Sequence, residues 1–115
     1  MSVEIYHNPR CSKSRQTLQL LQEQGVEPEI REYLKTPPER EELIRVLDML
    51  GIEPRELMRQ KEAEYKEAGL DNPQLTRDQL IQGMLDNPKL IERPIVIKEG
   101  RAAIGRPPEK VLEIL

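Results

Sequence analysis

The chain has one cysteine, one histidine, no tryptophan and no phenylalanine among its 115 residues. A single cysteine forms no internal disulfide, and thiolate metal sites need several ligands at set spacings, so no metal is expected. Tyrosine is the sole aromatic, at three residues. The core must therefore be aliphatic, and the stacking platforms of single-strand nucleic-acid binders are missing. A net charge of -3 goes with no basic face over the chain as a whole, which excludes nucleic acid as an expected partner. No stretch approaches the ~20 apolar residues of a membrane span. The opening MSVEIYHNP lacks the apolar run of a signal peptide. A reducing cytoplasm is the expected compartment.

What is present reads as one domain over residues 1–115. A chain of this size can bury roughly two-thirds of its unfolded surface and needs no staple to fold. Charged residues reach 34%, yet Leu, Ile and Val recur in regular patterns. VEIYH alternates as a short strand, with Val3 and Ile5 on one face and Glu4 and Tyr6 on the other. Asn8-Pro9 breaks it. A helix from Ser12 to Gln24 follows, with Thr17, Leu18 and Leu21 as its inner stripe and Gly25 at its C-terminal cap. VEPEIREYL resumes strand-like alternation through Ile30, completing a parallel βαβ unit with a right-handed crossover.

The middle is helical. Thr36-Pro37-Pro38 starts a helix striped by Leu43, Ile44, Leu47 and Leu50 and closed by Gly51. A shorter one covers PRELMRQ, and KEAEYKEAGLDNP reads as a solvated connection. Thr76 with Gln79 makes a capping box for TRDQLIQGMLDNP, which Asn87-Pro88 ends. RPIVIKEGRAAIGRPP is a β-hairpin turning at Glu99-Gly100, and PEKVLEIL is a closing helix. The layout is an α/β sandwich of βαβ, helical insert and ββα.

The chemistry concentrates in HNPRCSKSR, residues 7–15, which holds both the cysteine and the histidine. Cys11 falls between the first strand and the first helix, where unpaired N–H groups and the helix dipole favour an anion. A free thiol of pKa ~8.5 is about 3% thiolate at neutral pH, and helix N-termini with basic neighbours lower the value to roughly 3.5–7.5. Arg10, Lys13, Arg15 and His7 all push that way, and Ser14 is placed to donate a hydrogen bond to the thiolate. The plainer alternative is an inert buried cysteine. A loop-to-helix junction crowded with cations is a poor place for one.

Spacing separates the thiol chemistries. The second cysteine of a Cys-x-x-Cys motif is replaced by Ser14, so a self-contained dithiol exchanger is excluded. A tyrosine-phosphatase loop needs an arginine where Thr17 stands, and a papain-like protease needs a downstream histidine that is absent. Cys-x-x-Ser does match monothiol glutaredoxins at two residues.

Arg93-Pro94 and Arg106-Pro107 flank the hairpin. With a two-residue turn at Glu99-Gly100, Lys98 opposes Arg101, and the same register sets Arg93 opposite Arg106. Like charges facing each other destabilise a sheet, whereas two guanidinium forks suit a tetrahedral oxyanion between them. Two splayed, solvated arginines are the alternative. A thiolate attacking an oxyanion would account for both features.

The pattern I-Y-H-N-P-x-C-x-x-S-R, followed by Y-L-x-T-P-P, L-x-R, R-P-I-V and G-R-P, resembles the glutathione- and glutaredoxin-coupled arsenate reductases, collinearly over essentially the whole chain. The resemblance implies a thioredoxin-like fold with a helical insertion at about residues 37–90, between the βαβ and ββα halves, and a cis peptide bond before Pro94. It implies Cys11 as nucleophile, with Arg59, Arg93 and Arg106 binding the oxyanion. Without the resemblance Arg59 would read as a solvated helix charge. His7 would help depress the thiol pKa and Ser14 would help hold the thiolate. Arg10 is a departure, standing where the well-studied arsenate reductases carry a small residue.

The implied reaction is attack of the Cys11 thiolate on arsenate and loss of water to give a thiol–arsenate adduct. External glutathione then reduces arsenic from the +5 to the +3 state, and glutaredoxin clears the mixed disulfide. No bound cofactor is implied; glutathione is a co-substrate, glutaredoxin a partner, and the chain is expected to act as a monomer. Two rivals carry the same residues. One is a glutathione-linked thiol oxidoreductase of another substrate. The other is an Spx-like regulator that binds RNA polymerase, whose redox switch is a Cys-x-x-Cys this chain lacks.

Overall fold

The computed structural model describes residues 2–115. Its backbone forms two compact units: one joins the chain up to Thr36 to Arg93–Leu115, and the other is Pro37–Glu92.

The first unit carries β1 (Val3–Tyr6), α1 (Ser12–Glu23), β2 (Glu29–Arg31), β3 (Ile95–Lys98) and β4 (Arg101–Ile104). The strands form one sheet in the order β2-β1-β3-β4. β1 and β2 run parallel, while β3 is antiparallel to both β1 and β4. This is the thioredoxin-like order. Val3 and Ile5 of β1 pack with Leu21 of α1, Val96 of β3 and Val111 into an aliphatic core, joined by Leu18 and Ala103. Fully burying a Leu or Ile contributes about 1.5–3 kcal/mol, so a core without Phe or Trp suffices. Tyr6, on the other face of β1, stacks on Tyr33 with ring centroids 6.4 Å apart, and the Arg31 guanidinium lies 5.5 Å from its ring centre.

Two local expectations change. β2 is only three residues long, and its Ile30 is 51% exposed. It is the edge strand, paired only with β1, so cover is lost on one side. The closing segment Pro108–Ile114 is a 3-10 helix, not an α-helix. Three residues per turn align Pro108, Val111 and Ile114 on one face, and the first two are buried. The peptide bond before Pro94 is cis as expected, and the one before Pro107 is cis as well.

The hairpin adopts the register read from its turn. Glu99 and Gly100 have φ of 49° and 78°, the doubly positive geometry of the tight hairpin turn that matches strand twist. Lys98 pairs with Arg101, and the ladder runs to Ile95 opposite Ile104. Gly105 N–H extends it by donating to Pro94 O at 2.9 Å, which leaves Arg93 and Arg106 opposed.

The second unit is helical: α2 (Arg40–Leu50), α3 (Pro54–Leu57), α4 (Ala63–Glu67) and α5 (Arg77–Asp86), followed by a 3-10 turn at Pro88–Leu90. α2 begins later than Thr36-Pro37-Pro38 suggested, because Glu39 is its N-cap and forms a capping box with Glu42. Pro38 keeps the backbone before it out of the helical region. Leu43, Val46 and Leu47 are its buried residues, and Gly51 ends it at φ 67°. The expected Thr76–Gln79 box starts α5. KEAEYKEAGLDNP is not merely a solvated connection, since it contains α4 and buries Tyr65 and Leu70. Arg55 explains this. Its guanidinium donates to the Tyr65 hydroxyl, to Leu70 O at 2.7 Å and to Asn72 O at 3.0 Å. A charged group that satisfies three acceptors can pin an otherwise polar segment.

Candidate active site

Residues 7–11 are held as a turn by their own backbone. Asn8 O accepts from Cys11 N at 3.0 Å, and Asn8 Oδ1 accepts from Arg10 N at 3.0 Å. Asn at the first position and Pro at the second is a favoured turn sequence. Arg15 Nη1 braces the turn by donating to Pro9 O at 2.9 Å. The turn delivers Cys11 to the N-cap of α1 in an extended conformation, with φ -95° and ψ 123°, and leaves the thiol partly exposed.

Two guanidinium groups meet this thiol. Arg106 Nη2 lies 3.5 Å from Cys11 Sγ, while its Nε donates to Arg93 O at 2.8 Å. The Arg93 side chain also acts on the thiol, favouring its charged form. Burial pushes the Cys11 pKa up. The Ser14 backbone N–H, the hydrogen bond and charge of Arg93, and the Lys13 backbone N–H together outweigh it, so the pKa falls below that of an ordinary thiol. The arrangement is a thiol at a helix N-terminus beside two planar cations, a geometry suited to a tetrahedral anion.

Comparison with known proteins places this geometry. The ArsC family matches residues 6–114. An arsenate reductase of Haemophilus influenzae is 50% identical over 116 residues, spanning all of both chains. The chain belongs to the ArsC family. It is also 60% identical to the Escherichia coli protein YfgD, covering 98% of this chain and 96% of that one. In three dimensions it superposes on an arsenate reductase from Vibrio cholerae with a TM-score of 0.97 at 57% identity, over 100% of this chain and 98% of the other.

Within this ArsC-family site, two expected side chains act differently from their sequence reading. Ser14 does not use its hydroxyl as the thiol's donor. That hydroxyl is fully buried, accepts from Asn8 N at 3.0 Å and lies 2.6 Å from His7 Nδ1. It is the Ser14 amide that approaches Cys11. His7 is not a cation beside the thiol. It is buried, and desolvation lowers its pKa, with Glu32 opposing and Arg15 adding to the shift. A neutral ring can accept the Ser14 proton at Nδ1. His7 and Ser14 thus support the turn that presents the thiol.

Arg59 belongs to the second unit, beyond the end of α3. It is not a solvated helix charge. Its side chain is 23% exposed, with Nε 3.3 Å from Glu62 Oε1 and Nη1 3.1 Å from Glu92 Oε1. The first unit therefore brings together Cys11, Arg93, Arg106, His7 and Ser14, and Arg59 sits in an ion-pair network of its own unit. Among the described residues no group of three His, Cys, Asp or Glu could hold a metal ion, and no helix is long and apolar enough to cross a membrane.

Two contributors escaped the sequence reading. Asn8 is buried and closes the turn, and the Asn-Pro pair was the available signal. Gly105 carries none. A Cβ there would lie 2.5 Å from Thr17 Oγ1 and 2.8 Å from Pro94 Cγ, so only glycine lets β4's end approach α1 and Pro94.

Proposed function

We propose that this protein is an arsenate reductase that works through a covalent Cys11 thiol–arsenate adduct and draws its electrons from glutathione and glutaredoxin. The observation that supports it most is the pairing of Arg93 and Arg106 on one low-pKa thiol. Family membership and the arsenate reductases among its close relatives point the same way.

The two guanidinium groups offset the charge of arsenate and of the transition state. The Cys11 sulfur bonds to arsenic, and one arsenate oxygen leaves as water after taking up protons. A glutathione thiol then forms a disulfide with Cys11. The sulfur–arsenic bond breaks, its electron pair stays on arsenic, and arsenite departs at the +3 state. Two thiols are oxidised as one arsenic is reduced. Glutaredoxin returns Cys11 to the thiol by taking the glutathionyl group. Ser14 stands in place of a resolving cysteine, so reduction is borrowed from outside, in keeping with a reducing cytoplasm.

Arsenite formation is the test. It should require glutathione and glutaredoxin together and vanish in Cys11→Ser. Arg93→Ala and Arg106→Ala should each raise the arsenate KM. Full activity of Cys11→Ser, or turnover supported by thioredoxin alone, would refute the proposal.

A further inference from the structure

The Arg10 side chain has no contact in the site described above, and it lines a pocket of about 220 Å³ built wholly within the first unit. The floor includes His7, whose Nδ1 is engaged with Ser14. Pro9 and Leu34 supply apolar wall, and Leu34 is 44% exposed there, an unusual place to leave a leucine. Arg10, Lys35 and Glu32 supply charge around the rim. In the unliganded protein Lys35 pairs with Glu32 at 3.4 Å, with side chains 77% and 40% exposed. An ion pair that open to water contributes little and exchanges readily for ligand groups.

We infer that this pocket is the glutathione subsite, in which Arg10 and Lys35 receive the tripeptide's two carboxylates and Glu32 its ammonium. The charges correspond in number and sign: two cations for two carboxylates and one carboxylate for one ammonium. Pro9 and Leu34 contact the aliphatic backbone of the ligand. The pocket wall is the same turn that ends in Cys11, since Asn8 O accepts from Cys11 N. A tripeptide reaches about 10 Å when extended, and the lining residue Arg10 is the immediate chain neighbour of Cys11. Arg10 thereby selects the reductant.

The inference rests on glutathione being the reductant, and its test is separable from that reading because it needs no turnover. S-methylglutathione, which cannot react, is titrated into the full-length protein and followed by 1H–15N chemical shifts. Perturbations should centre on residues 7–10 and 32–35, and Arg10→Glu should weaken binding roughly tenfold, with Lys35→Glu behaving alike. Glutathione diethyl ester, with both carboxylates blocked, should bind the wild type as weakly as the free acid binds the variants. In arsenate turnover, Arg10→Glu should raise the glutathione KM by a clearly larger factor than the arsenate KM. Perturbations centred elsewhere, or equal binding by Arg10→Glu with an unchanged amide spectrum, would overturn the subsite. Binding that follows this pattern in a protein without arsenate turnover would uphold the subsite and refute the arsenate reading.

Discussion

Gly105→Ala changes one hydrogen to a methyl at the point where β4, α1 and the Arg93-Pro94 segment converge. The new Cβ would lie 2.5 Å from Thr17 Oγ1, 2.8 Å from Pro94 Cγ and 3.1 Å from Thr17 Cγ2. None of these atoms can swing aside. Thr17 is fully buried, branched at Cβ, and its hydroxyl donates to Lys13 O at 2.8 Å, while the proline carbon belongs to a ring. Forcing a methyl into such a site costs about 1–3 kcal/mol. With two contacts under 3.0 Å, the upper half of that range applies. For a chain of this length about 2.5 kcal/mol corresponds to a Tm lower by roughly 10 °C. Calorimetry or thermal circular dichroism measures it directly. Thr17→Ala removes two of the three clashing atoms, so the double variant should lose clearly less than the sum of the single losses. Thr17→Ser keeps the 2.5 Å contact and should rescue little. A Gly105→Ala protein melting within a degree of wild type, or strict additivity with Thr17→Ala, would refute the packing argument.

Alkylation of Cys11 by iodoacetamide should follow a titration centred below that of a free thiol, and Arg93→Ala should move the midpoint upward by removing both a hydrogen bond and a charge. An unmoved midpoint would mean that the helix amides alone set the thiolate. His7 should make the protein less stable in mild acid. Its folded pKa is depressed, so the stability it contributes is fully present above the unfolded value of 6.5 and is lost as pH falls through the folded value. Urea midpoints should therefore drop as pH falls below 6.5, and less so in His7→Asn; an identical drop in both proteins would assign the effect to other groups.

Elements whose cues lie within a few residues were readable. Thr76 and Gln79 close a capping box because they are three apart, and Glu99-Gly100 fixes the register of the hairpin because a two-residue turn permits only one. The misreadings share a different cause. Tyr65 and Leu70 looked solvated because their segment is polar, and they are buried through Arg55, which precedes Tyr65 by ten residues. The strand around Ile30 looked longer because its sequence alternates, and alternation does not reveal that it is the sheet's short edge. Ser14 was correctly placed one turn from Cys11, yet its hydroxyl turned to His7, a choice set by the shape of the Asn8 turn.

The sequence by itself determined that a lone thiol would start a helix and that two arginines would face each other across a hairpin, since both follow from local backbone geometry. Only the tertiary structure decided that these features form one site. β3 lies beside β1 with Ile95 opposite Tyr6, which sets the segment before β3 next to the turn after β1. Arg106 thereby meets a thiol 95 residues away. Strand order is chosen by hydrogen bonding and burial summed over the whole sheet, and no local stretch of sequence contains that sum.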